Sequence, residues 1–62
     1  GQIESAIEAT TDGIEANANY PNNYSIRGML YLQQGKRNQA ISDLQNAARL
    51  GDSRANALLS QI

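Results

Sequence analysis

The chain has 62 residues, 40% of them apolar, with five bases, six acids and neither His nor Cys. At that length it is one domain at most and buries only about 60% of the surface its unfolded form exposes; without Cys or His it has no disulfide, no zinc site and no imidazole or thiolate for catalysis. Its five cations are dispersed rather than gathered into the stripe that phosphate neutralisation requires, and its longest apolar run, Met29 to Leu32, falls far short of the roughly 20 residues that span a bilayer.

Three breaks divide the chain into four helical segments: Asn17 to Pro21, the Gly35 turn, and Gly51-Asp52-Ser53. The first segment, Ile3 to Ala16, places Ile3, Ala6, Ile7, Thr10 and Ile14 on one side at helical spacing. Its interior run of Thr10, Thr11, Asp12 and Gly13 is a weak helix former, so this helix depends on tertiary contacts. Pro21 suits the first turn of the second helix, Asn22 to Gln34, because the N–H it lacks would have no partner there. Tyr24, Ile26, Gly28, Met29, Leu30, Tyr31 and Leu32 wrap most of that helix, so it must be covered on more than one side. The third helix, Asn38 to Leu50, is amphipathic through Ala40, Ile41, Leu44, Ala47, Ala48 and Leu50. Gly35 and Gly51 stand just past the second and third helices as stop signals. Asp52 or Ser53 caps a last helix carrying Ala55, Ala57, Leu58, Leu59 and Ile62.

Charge is unevenly shared along these segments. Residues 1 to 20 hold Glu4, Glu8, Asp12 and Glu15 with no base, net −4, whereas residues 21 to 62 hold five bases against Asp43 and Asp52, net +3. This asymmetry reads as a solvated acidic face on the first helix, the alternative being head-to-tail electrostatic association; the four-residue spacing of Glu4, Glu8 and Asp12, which a carboxylate pair or cation site would also use, reads as the same solvated face. The Asn23-Tyr24-Ser25 sequon reads as incidental, since Tyr24 belongs to a helix interior. Gly35-Lys36-Arg37 lacks the glycine-rich surroundings of a phosphate loop. No aromatic platform for bases is present. The expectation is a soluble, non-enzymatic chain that needs no cofactor or metal; no basic-then-apolar leader opens it, and its compartment is left open.

A shift of 34 residues places Gly1 on Gly35, Ala6 on Ala40, Ile7 on Ile41 and Asn22 on Asn56. Within the period so defined, Tyr24, Gly28, Tyr31, Ala40, Leu44 and Ala47 carry the spacing of the tetratricopeptide repeat signature, and the chain resembles that family. The physical logic agrees: Gly28 and Ala40 lack bulk where two antiparallel helices approach, and Tyr24, Tyr31 and Leu44 fill the space around them. Two positions depart from the pattern. Arg27 stands where the family often has Leu, and we expect its alkyl stem to lie along the surface; Asp52 stands where a proline commonly ends the repeat.

The resemblance implies an all-α fold, an antiparallel helix-turn-helix α-solenoid fragment of four short helices. Residues 1–20 would be the second helix of a preceding repeat, 21–52 a full repeat, and 53–62 a capping helix. It also implies a protein-binding scaffold whose concave groove is lined here by Asn22, Ser25, Met29, Leu32 and Gln33, continued by Asn56 and Leu59. Ser25 and Met29 stand where clamping variants carry Lys and Asn, so a carboxylate clamp is not expected. The partner implied is a partly apolar peptide or helix docking over Met29 and Leu32, against which stands their use as core. The alternatives are a structural unit that self-associates into a homo-oligomer through Ile3, Ile7 and Ile14, which an unpartnered first helix would leave bare, or the C-terminal end of a longer array.

Overall fold

Four helices and no strand make up the structure, a computed structural model describing all of residues 1–62: α1 is Gln2–Ala16, α2 Pro21–Gln33, α3 Arg37–Arg49 and α4 Ser53–Gln61. The predicted helix ends fall within about one residue of these bounds because the punctuation is local chemistry. Gly35 and Gly51 have φ of 75° and 104°, where an L side chain is strained. Each closes its helix with the same pair of bonds. Gly35 N–H donates to the Leu32 carbonyl at 3.0 Å and Lys36 N–H to Tyr31 at 2.9 Å; Gly51 N–H donates to Ala48 and Asp52 N–H to Ala47, both at 3.0 Å. Orphan carbonyls at both helix ends are thereby satisfied. Of the two candidate caps for α4 the structure uses Asp52, whose Oδ1 accepts from Arg54 N–H at 2.9 Å.

Neighbouring helices in the chain pack on one another in order, α1 on α2, α2 on α3, α3 on α4. The pairs run antiparallel, as short connections dictate. The body measures 29 × 26 × 14 Å, so it is little thicker than one helix and has few places where a side chain is covered on all sides. Full burial is accordingly confined to the α2–α3–α4 junction, at Ser25, Gly28, Ala40, Asp43, Leu44, Ala47 and Ala55. Tyr24, Leu32, Ala48, Leu58, Leu59 and Ile62 are half-buried against Leu44, Ala47 and Ala55.

Glycine inside a helix costs about 1 kcal/mol relative to Ala, and two positions show opposite reasons for tolerating it. A Cβ at Gly28 would lie 2.9 Å from Leu44 Cγ and 3.3 Å from the Ala40 carbonyl oxygen, so the absence of a side chain sets how closely α2 and α3 approach. A Cβ at Gly13 would meet only the side chain of Asn23, with the amide nitrogen at 2.7 Å. That amide is the far end of a half-buried side chain and can swing away. Gly13→Ala is therefore expected to leave stability unchanged or raise it by up to about 1 kcal/mol, read as the midpoint of urea unfolding. A loss larger than about 1 kcal/mol would show that α1 and α2 are in tighter contact than this geometry allows.

Candidate interaction surface

The outward face of α2 is the stripe Asn22, Ile26, Met29 and Gln33, spaced four, three and four residues apart. Ile26 and Met29 are each 38% exposed and, with Tyr20 at 49%, are the large apolar side chains most open to solvent. Exposed Gln33 extends the stripe at one end, and exposed Asn56 belongs to α4. At the other end Asn22 is half-buried: its Oδ1 accepts from Arg54 Nη2 at 2.7 Å, and its Nδ2 donates to the Tyr20 hydroxyl at 3.3 Å. Pro21 starts α2 without needing a partner for a first-turn N–H, which brings Tyr20 and Asn22 to this end of the stripe.

Three of the expected groove residues are turned inward. Ser25 is buried and donates its hydroxyl to Asp52 Oδ2, so it ties α2 to the start of α4 and offers nothing to a partner. Leu32 and Leu59 pack on the Leu44, Ala47 and Ala55 cluster. The reason is rotational: Ser25 and Leu32 lie seven residues apart on the edge of α2 that turns toward the α3–α4 junction, about 80° round from the Asn22–Gln33 stripe. Ile26 was not among the expected groove residues, although its place four residues after Asn22 and three before Met29 carried the signal. No closed pocket interrupts the surface, so a ligand on this stripe meets an open face.

The other singled-out residues fall as follows. Gly28, Ala40, Leu44 and Ala47 are buried, while Tyr24 and Tyr31 are half-buried. Ile3, Ile7 and Ile14 are half-buried rather than bare, though α1 buries no residue completely.

Arg27 corrects the expectation of a side chain laid along the surface. Its Nε and Nη2 donate to Asp43 Oδ2 and Oδ1, both at 2.8 Å, and its Nη1 to Thr11 Oγ1 at 3.1 Å. Its guanidinium lies 5.8 Å from the centre of the Tyr31 ring, which the Lys36 ammonium also approaches at 6.0 Å. The hydrogen bonds to Asp43 raise the Arg27 pKa above its ordinary value against the opposing effect of burial, so the cation is permanent. One residue thus links α1, α2 and α3. The fold-back at Gly35 pairs residues equidistant from it, and Arg27 and Asp43 each stand eight residues away, a signal legible in the sequence but not used.

Comparison with known proteins gives no match to a family model, a curated protein or a solved structure. The tetratricopeptide resemblance therefore rests on the six signature residues of the sequence alone.

Asp52 gives this surface a pH dependence. The Ser25 hydroxyl, and secondarily the Arg54 backbone N–H and side chain, hold its carboxyl below the usual 3.8, outweighing the desolvation that would raise it. A carboxyl whose folded pKa is depressed adds stability that is fully present above the unfolded value and is lost as pH falls through the folded one. Urea unfolding is therefore expected to show stability declining as pH drops below 3.8. Asp52→Asn should be less stable than the parent at neutral pH and flatter on the acid side. A parallel decline in both proteins would remove Asp52 as the cause.

Proposed function

We propose that the chain is a protein–protein interaction module of the tetratricopeptide type, holding a partly apolar peptide or helix across the outer face of α2. The observation that carries this reading is the adjacency of Ile26 and Met29, one helical turn apart and both open to solvent, in a domain that buries most of its other large aliphatic side chains at least halfway. Met adapts its shape to an apolar surface, and exposed amides at Gln33 and Asn56 supply donors and acceptors to a ligand backbone. No helix is long and apolar enough to cross a membrane, so the exposed pair is not part of a spanning segment.

The test is selection of displayed amphipathic peptides on the immobilised domain, followed by titration of the winners against Met29→Lys. Leu32 is left intact because it packs on the core and its substitution would confuse binding with folding. Binding is expected to weaken at least tenfold, about 1.4 kcal/mol or more, with unchanged helicity. Undiminished binding to the variant, or failure to select any peptide that the domain retains, would reject the α2 face as the docking site.

A further inference from the structure

The 34-residue shift maps the packing of the chain onto itself with one pair of helices left over. Gly13 of α1 faces Asn23 of α2, and 34 residues after Gly13, Ala47 of α3 clusters with Ala55 of α4. In this shift α1 stands to α2 as α3 stands to α4. What is not repeated is the α2–α3 contact, because α1 has no first-helix partner and α4 has no second-helix partner.

Burial registers the vacancy residue by residue. Ala40, Leu44 and Ala47 of α3 are fully buried, whereas their counterparts Ala6, Thr10 and Gly13 of α1 are half-buried. Ser25 and Gly28 of α2 are buried, whereas Leu59 and Ile62 are half-buried. Asp43 is buried and its counterpart Ala9 exposed. The two edges are sterically complementary, with the bulk exchanged: Gly28 faces Leu44 within the chain, while bulky Ile62 corresponds to Gly28 and the smaller Thr10 to Leu44. The chain is also opposite in charge at its two ends, net −4 over residues 1–20 and +3 over residues 21–62. That attraction acts across the contact and not within it, because Glu4, Glu8 and Glu15 correspond to Asn38, Ser42 and Arg49, which stay exposed beside α2.

We propose that copies of this chain associate head to tail, α4 of one copy packing against α1 of the next as α2 packs against α3 within the chain. Such a contact joins two different surfaces, so it does not stop at a dimer. It is weak, because α4 offers nine residues where α2 offers thirteen, and it is weakened further by salt. The register is specified: Gln61 of one copy meets Ala9 of the next, the counterparts of Arg27 and Asp43.

That register gives a gain-of-function test. Ala9 and Gln61 are both exposed, so Ala9→Asp with Gln61→Arg installs a copy of the Arg27–Asp43 pair between chains without touching the core. Sedimentation at rising concentration, with helicity followed by circular dichroism, is expected to show the parent's mass climbing above 6.7 kDa without a plateau at two chains. The double variant should associate at least about tenfold more tightly, each single variant should not, and added salt should reverse the gain. Met29→Lys should leave the mass profile unchanged, which keeps this proposal separable from peptide binding on α2. A mass of one chain at every concentration would overturn it and leave these edges to another occupant. A closed dimer indifferent to positions 9 and 61 would overturn it in favour of α1 pairing with itself, and loss of association in Met29→Lys would move the contact to α2.

Discussion

Leu44→Ala is expected to destabilise the domain by about 3–5 kcal/mol, the cost of emptying a fully buried Leu site. Domains of this length have a total stability of only about 3–9 kcal/mol, so the variant should be partly unfolded at moderate temperature. Gly28→Ala acts from the opposite direction: its new methyl would lie 2.9 Å from Leu44 Cγ, with the Ala40 carbonyl behind, so α2 and α3 must separate, at about 1–3 kcal/mol. Combining the two lets the methyl added at Gly28 enter space that Leu44 has vacated. The double variant should therefore be less destabilised than the sum of the singles, by about 1 kcal/mol or more in a urea cycle. Simple additivity would mean that residues 28 and 44 do not share one contact, and the close approach of α2 and α3 would lose its explanation.

Asp43→Ala is expected to cost about 3 kcal/mol, because it strands the Arg27 cation in a site built around a carboxylate. The side chain of Asp43 is 5% exposed and that of Arg27 19%, so Arg27 reaches some water after the change and the loss falls at the lower end for a buried pair. Replacing both, as Arg27→Met with Asp43→Leu, removes the stranded charge and should recover most of the loss. The size of this effect separates two kinds of ion pair. A loss under about 1 kcal/mol for Asp43→Ala would class the pair with exposed salt bridges and deny it a role in joining α1, α2 and α3.

The interaction face was only half legible in the sequence. Met29, Gln33 and Asn56 are found exposed, but Ser25, Leu32 and Leu59 are not, because periodicity assigns residues to a side of a helix without saying which side a neighbour will cover. α2 touches α1 and α3 along its length and meets α4 through Ser25 and Asn22. The strip that remains is centred on Asn22, Ile26, Met29 and Gln33, and its position depends on where α4 comes to rest. That in turn depends on the Gly51 turn and on the Ser25–Asp52 bond, a contact between residues 27 apart.

By itself, the sequence determined the four helices, their ends and the order in which they fold back. Pro21, Gly35, Gly51 and Asp52 act on backbone groups within a few residues, and three-and-four spacing marks an apolar side wherever the helix is placed. It also determined the small residues at the α2–α3 crossing, since Gly28 and Ala40 carry their reason in their size. The tertiary structure alone decided which half-apolar positions became core and which stayed open, that Arg27 turned inward to Asp43, and that α1 and α4 were each left with one uncovered edge. Those outcomes depend on rotations and distances between helices, which sum over many weak contacts far apart in the chain and leave no mark on any single stretch of residues.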